Sequence, residues 1–452
     1  MSTRLLMRSA PTLLVLSLFG CSAAQESPPT TELVAEAPAP SPPAVCQADR
    51  KWITDPTPPA EVASTESFCD FYQFSWQWFL SQVSPADASN PTGDRVFETN
   101  RVVDPAGSSD QCSAAAISGR ALAGQMVAKR VLKPDDFETQ QADGNPLYDQ
   151  SKNILYYNMW YSPEECQATA AGFVAGTMEI KTSWRVLPAA DPSYYTMPAT
   201  LSDGSDVTLG LVGFHLVNWT SAHPEMIWAS FEHKSNAPLC DGSSATSGWT
   251  LTSDAAAQCL ADNPQPTGGT ISPNCASYNF NTSSNDSAPF PSTGTPDEVC
   301  RLYAHGSQPG SSINGNDNAA NLLAIQQLNE ALVGDAGMLT VLPSTDPMAV
   351  WKYYDMVGGL WTKGGAASGS SPVPTKNGHG DASSPQRGSL EMTNMTMETF
   401  EQGATSSVPN CFGCHGFTSE APLGVSHIAH RFLLPASVTG ASTLSADDTS
   451  SQ

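Results

Sequence analysis

Eleven cysteines are spread along 452 residues, and their spacing limits the possible folds more than any other feature. Two stand in "VPNCFGCHGF", as Cys411 and Cys414 with His415 directly after. One, Cys21, ends a short apolar N-terminal run. The other eight are Cys46, Cys69, Cys112, Cys166, Cys240, Cys259, Cys275 and Cys300. They are even in number, and none belongs to a CxxC pair. In an oxidising compartment they can join as up to four disulfides. Their connectivity stays open, because eight cysteines allow about 105 pairings. The last four lie in a Ser/Gly/Asn/Pro-rich region without strong apolar periodicity. Local stapling of a long loop is the expectation there.

The N-terminus reads as an export signal. "MSTRLLMRSAPTLLVLSLFGCSAAQ" carries Arg4 and Arg8, then an apolar run from Leu13 to Phe19 that is far too short to span a bilayer. Leu18, Gly20 and Cys21 resemble a bacterial lipobox. That resemblance implies a lipoprotein signal over 1–20, cleavage before Cys21 and lipid on its thiol. Ser22 next to it favours sorting to the outer membrane. An ordinary secretory signal with an incidental cysteine is the other reading. Residues 21–45, rich in Pro and Ala, read as a tether. The expected location is the periplasm, anchored by lipid rather than by a spanning helix. Lys and Arg number 20 against 44 Asp and Glu, a formal charge of −24. Such a surface repels phosphate backbones, which excludes nucleic acid as a partner and suits a basic protein.

The body is expected over 46–363. In "FCDFYQFSWQWFLSQV", Phe71, Phe74, Trp78, Phe79 and Val83 fall at helical spacing, and Pro85 stops the helix. The pattern then shifts to strands. "TMEIKTSWRVLP" alternates Met178, Ile180, Thr182, Trp184 and Val186 on one side. "VTLGLVGFHLVNW" puts Leu209, Leu211, Gly213, His215, Val217 and Trp219 on one face, and "MIWASFEH" does the same for Ile227, Ala229, Phe231 and His233. Paired as a hairpin around "TSAHPE", these two strands are expected to bring His215 and His233 together across the ladder. Either the pair is packed and hydrogen-bonded within the sheet, or it faces a ligand. Residues 241–297 read as loop. "NDNAANLLAIQQLNEALVG" is a helix with Asn316 or Asp317 as cap, a stripe of Leu322, Ile325, Leu328 and Leu332, and Gly334 at its end. A Gly/Ser/Pro-rich break follows at 364–388, then a C-terminal segment, 389–436. The fold class is α+β: a strand-rich middle, helices toward both ends and a C-terminal segment carrying the CxxCH.

Three chemistries use two cysteines at this spacing. A thiol–disulfide pair sits at a helix start in a βαβ setting, and the residues before Cys411 do not read as a core strand. A zinc site needs a second pair of ligands, which His427 and His430 could supply. Covalent haem attachment is the third, with CxxCH as its signature. Each thiol adds across a haem vinyl, two intervening residues let the sulfurs reach one ring edge, and the next imidazole ligates the iron. A random chain of this composition holds a CxxCH on the order of once in two hundred. Haem c, held by Cys411 and Cys414 with His415 on the iron, is the expected cofactor. No methionine follows His415, so a methionine opposite it has to come from upstream. Candidates for the sixth position are Met392, Met395, Met397, His427, His430, His215 and His233.

The blocks "FSWQWFL", "MEIKTSWRVL", "VGFHLVNWT", "MIWASFEHKSNAP", "TNMTMETF" and "NCFGCHG" resemble those of large, single-haem, exported bacterial proteins of the cytochrome c family. They span about Phe68 to Gly416. The resemblance implies haem binding and electron transfer to or from a redox protein partner. The position of the motif departs from small soluble cytochromes c, where it lies near the start. Some 360 residues precede it, more than electron carriage needs, so a haem-dependent oxidoreductase with a substrate pocket in the body is the alternative. A surface binding protein with structural zinc or a disulfide in place of haem is a third reading.

Overall fold

A run of aromatic residues opens the body as a helix because Ser67 can start it. In the computed structural model the Ser67 hydroxyl accepts from the Asp70 amide at 3.2 Å, and the Asp70 carboxylate accepts from the Ser67 amide at 2.9 Å. Two amides without a partner inside the helix are thereby satisfied. The structure describes residues 45–103, 112, 145–169, 171–201, 204–266, 269–284, 291–308, 312–313, 315–364, 385–402, 411–415 and 422–429. The expected signal, Cys21 and the tether up to residue 44 lie outside these residues, as do His430 and most of the 364–388 break. The described helices are α1 Lys51–Thr54, α2 Phe68–Val83, α3 Val96–Thr99, α4 Asp254–Asp262, α5 Asn318–Val333 and α6 Cys411–Cys414. The strands are β1 Arg101–Val102, β2 Tyr156–Tyr161, β3 Met178–Val186, β4 Thr196–Thr200, β5 Asp206–Asn218, β6 Ile227–His233, β7 Ser312–Ile313, β8 Asn316–Asp317, β9 Tyr354–Thr362 and β10 Gln386–Gly388. None of the described helices is long and apolar enough to cross a membrane.

One antiparallel sheet of eight strands organises the fold, in the order β1-β2-β3-β5-β6-β9-β10, with β4 beside β5. The architecture is α+β. Helices α2 and α5 cover one face. There Phe79 stacks on Phe231 with centroids 4.0 Å apart, and Phe71 stacks on Trp361 at the same distance. Ile180, Trp184, Phe214 and Leu216 from the sheet join Ile325, Leu328 and Leu332 of α5 in this layer. Each such side chain contributes about 1.5–3 kcal/mol on burial. Asp317 caps α5, accepting from the Ala320 amide at 3.0 Å. The opposite face is covered by loops and by the C-terminal segments 389–402, 411–415 and 422–429.

Two expectations about β5 and β6 are overturned. The strands do form a hairpin, but Asn218 pairs with Ile227 and His215 with Ser230. Odd residues of one strand therefore lie opposite even residues of the other. His215 and His233 do not meet: His215 faces the C-terminal segment, while His233 stacks on Tyr194 at 4.0 Å and meets Tyr354 edge-on. The single apolar face expected for β5 is also broken. A bulge leaves Val212 as an extra residue opposite Ser183 and Trp184. Leu209 and Leu211 share the helical face with Phe214 and Leu216, whereas Val212 and Val217 pack on the other side. A bulge shifts the phase of every following side chain.

The eight body cysteines form four disulfides: Cys46–Cys69, Cys112–Cys166, Cys240–Cys300 and Cys259–Cys275. The last bridge is nested inside the third, so the 240–300 region is stapled locally as expected. It is not all loop, however. Ser253 caps α4, accepting from the Ala256 amide at 3.2 Å, and a short helical turn runs over Pro273–Tyr278.

Candidate functional site

The sheet face away from the helices carries charge. Alternation along β3 sends Met178, Ile180 and Trp184 toward α2 and leaves Glu179, Lys181 and Ser183 on the other side. The ladders set Lys181 beside His215, and His215 beside Ser230. Charged groups on a covered sheet need partners, and the segment 389–402 supplies one. His215 Nε2 lies 2.8 and 2.9 Å from the two carboxylate oxygens of Glu398. Burial opposes ionisation of Glu398, but His215 and then Lys181 outweigh it and hold the carboxyl below its usual range. Burial pushes Lys181 below the ordinary lysine range, with Glu398 offsetting part of that.

The CxxCH lies on this face. Cys411, which is half-buried, starts α6, and the turn closes with the His415 amide donating to the Cys411 carbonyl at 2.8 Å. Phe412 is fully buried and meets Trp228 of β6 edge-on at 6.3 Å. The His415 ring lies 4.5 Å from the Trp228 indole. Its Nδ1 donates to the Val425 carbonyl at 3.0 Å. A carbonyl oxygen only accepts, so Nδ1 carries the hydrogen and, in the neutral ring, Nε2 holds the lone pair. Burial, with His427, Lys181 and His215 nearby, pushes the His415 imidazole well below its ordinary pKa. A neutral imidazole with its second nitrogen tied to a carbonyl is the state in which histidine ligates a metal.

A second observation bears on what this place could hold. Trp228 is buried, and its indole N–H has no acceptor among the described residues. A buried donor left unmade costs about 1–3 kcal/mol. A carboxylate-bearing group seated against Trp228 would satisfy it, and haem carries two propionates. The chemistry of the residues present therefore fits the group that the motif implies: a thiol at Cys411, an oriented imidazole at His415, and an apolar cluster of Phe412, Val217, Leu360, Met392 and Trp228 with one unpaired donor among them.

The candidates for the sixth position separate. Met392 shares the apolar cluster of Phe412, Trp228 and Val425. Met395 and Met397 pack instead with Leu147, Val212, Leu251 and Val299. His427 stacks on His415 with centroids 4.1 Å apart and ring planes 21° apart. Imidazoles on opposite sides of one metal point their nitrogens at each other, each about 2.0 Å from it, so this stacked pair shields one ring rather than sandwiching an ion. His215 is held by Glu398. His233 approaches the Ser193 carbonyl at 3.1 Å and the Ser235 hydroxyl at 2.8 Å on the helical side of the sheet. His430 is outside the described residues.

Sequence reasoning missed Glu398, Lys181, Glu179, Trp228 and the Val425 carbonyl. The signal for two of them was present: Glu179 and Lys181 alternate with Met178 and Ile180, a pattern that ordinarily marks a solvent face. Of the rival chemistries, a redox dithiol finds a helix start but no βαβ crossover, since every pairing in the described sheet is antiparallel. Among the described residues no group of three or more His, Cys, Asp or Glu is arranged to hold a metal ion. Compared with protein-family models, curated proteins and solved structures, the chain matches none.

Proposed function

We propose that the chain is a c-type monohaem cytochrome of the periplasm, anchored through lipid on Cys21 and passing single electrons to or from a basic redox protein. The observation that carries this reading is the Nδ1–H of His415 donating to the Val425 carbonyl, which leaves Nε2 as the lone-pair nitrogen directly after a CxxC. Bound haem would supply a one-electron couple between ferrous and ferric iron. Cys411 and Cys414 would hold it covalently, and His415 would ligate its iron. The chain's own residues do the rest. Val425 orients His415, His427 covers one face of that ring, and burial keeps the imidazole neutral. The Trp228 N–H is available to a propionate. With 44 acidic against 20 basic residues, the surface favours encounter with a cationic partner.

A second reading, a haem-dependent oxidoreductase, draws on the row Lys181–His215–Glu398 beside the site, because an electron carrier has no need of half-buried acid–base groups. Carbon monoxide binding to the reduced protein separates the two. A closed iron shows no response, whereas a site open to small molecules gives a shifted spectrum. The first test is the intact mass of the mature protein from a host with cytochrome-maturation machinery, together with a pyridine haemochrome spectrum. The added mass of one porphyrin on the Cys411–Cys414 peptide is expected. Its absence overturns the reading. His415→Ala is expected to keep that mass and lose the native axial spectrum.

A further inference from the structure

Two carboxylic acids lie under the 422–429 segment. Glu165 belongs to the short helical turn Pro163–Gln167, next to the Cys112–Cys166 bridge, and Glu179 comes from β3. Glu165 is 0% exposed and Glu179 is 7% exposed. Ser426 donates its hydroxyl to Glu165 Oε1 at 3.0 Å and accepts from the Ala429 amide at 2.8 Å. The one proton of that hydroxyl is thereby used. Glu165 Oε2 and Glu179 Oε1 have no partner among the described residues; the two carboxyls lie close enough for the charge of Glu179 to act on Glu165, and the Ser426 hydroxyl lies near Glu179 as well. Two ionised carboxylates offer acceptors only, so burying this pair with no donor for either of those oxygens requires a proton between them.

We propose that Glu165 and Glu179 share one proton, and that this proton is a latch: it keeps the buried pair from repelling and taking up water, and so holds in place the carboxyl to which Ser426, and with it residues 422–429, is fastened. Val425, which orients His415, and His427, which covers it, both belong to the latched segment. The latch is a positioning device for the candidate site, and it rests on no part of the haem reading.

The other groups around the pair do not replace the proton. Tyr161 of β2 faces Glu165, and its phenol is bonded to Arg101 of β1. The Arg101 guanidinium also donates to the Cys112 carbonyl at 3.1 Å. Lys181, two residues along β3, lies near Glu398. Glu164, on the same turn as Glu165, is half-buried. Burial, and then the charge of Glu179, raises Glu165 well above the usual carboxylate range; burial raises Glu179 as well. For acids raised on folding, the stabilisation is present at low pH and is lost as pH rises through the folded value. The segment is therefore held in acid and loosens upward.

The test is hydrogen exchange on the mature protein, with protection factors corrected for intrinsic rates, from about pH 5 to about pH 9. Amides of 422–429 are compared with those of β3 and β5. In Glu165→Gln the amide oxygen can accept from Ser426 and the amide NH2 can donate to Glu179, so the pairing survives without a proton to lose. The expected result is that protection of 422–429 in the wild type falls relative to the sheet, roughly tenfold per unit of displaced pKa, while Glu165→Gln stays flat. Ser426→Ala is expected to give low protection at every pH. The latch is overturned if the wild-type segment follows the sheet across the range, or if Glu165→Gln keeps the wild-type slope. Should Glu165→Gln fail to fold, Ser426→Ala decides, because a pH slope that persists without the serine also overturns it.

Discussion

Gly213 and Gly358 leave the sheet bare where the 389–402 segment comes down on it. A Cβ at 213 would collide with Thr396 Oγ1 and Ser183 Oγ, and one at 358 with Ser389 Oγ. These hydroxyls are themselves engaged, Ser183 with Thr396 at 2.5 Å, so they cannot simply turn away. Gly213→Ala is therefore expected to cost about 1–3 kcal/mol in chemical denaturation and to loosen 389–402. Gly204 is the comparison. It has φ +88 and nothing within 4 Å of an added Cβ, so Gly204→Ala pays backbone strain alone, about 1–2 kcal/mol, and leaves that segment unaffected. Equal exchange in 389–402 for the two variants would refute the close-approach argument. At this scale the motif was legible and its surroundings were not. CxxCH is a spacing along the chain and needs no tertiary context to be read, whereas the Val425 carbonyl and the Trp228 N–H acquire meaning only when distant segments meet. Met395 and Met397 lie near His415 in sequence, yet the turn that docks Asn394 and Thr396 on Gly213 sends both into a different apolar cluster.

Among the elements, α2 and α5 were legible because both the apolar period and the capping residues lie within the helix itself. Helix α4 was not. "DAAAQCLAD" has only short apolar side chains apart from Leu260, and disulfides around it do what a larger core would do elsewhere. Cys259 of α4 is tied to Cys275 across 16 residues. In the chain-entropy account a loop of that size is stabilised by about 3 kcal/mol. The double replacement Cys259→Ser with Cys275→Ser is expected to unfold α4 and the Pro273–Tyr278 turn locally, seen as lost amide protection over 254–278. The eight-stranded sheet, closed off from this region by Cys240–Cys300, retains its protection. Loss of the whole sheet instead would show that α4 is part of the main core. Strand positions were likewise readable from alternation, but their register was not. One extra residue at Val212 and one step in the hairpin turn put His215 and His233 on opposite sides, and no local pattern announces either shift.

Taken whole, the molecule covers both faces of its sheet, which explains why charged side chains that alternate with apolar ones end up buried. Titratable groups in the segments packed on the sheet make stability depend on pH in opposing directions. Burial, with Arg301 nearby, pushes His305 down to about 4, while its Nδ1 donates to the Met356 carbonyl at 3.1 Å. A histidine neutral in the fold but not in the open chain loses its stabilisation as pH falls from about 6.5 toward about 4. Burial pushes Glu391 up to about 7, and an acid of this kind loses its stabilisation as pH rises from about 4.5 toward about 7. Each displacement corresponds to roughly 3–4 kcal/mol, and between these limits the two slopes oppose each other in the wild type. Single substitutions should expose each. Glu391→Gln is expected to gain stability over the wild type as pH rises through that window and then level off. His305→Asn, which tolerates the left-handed backbone at φ 53, should gain on the wild type as pH falls. Thermal unfolding midpoints of the three proteins between about pH 4 and about pH 8 test this directly. Parallel curves would mean that neither group changes its proton affinity on folding, and slopes of the opposite sign would mean that both are ionised inside the fold.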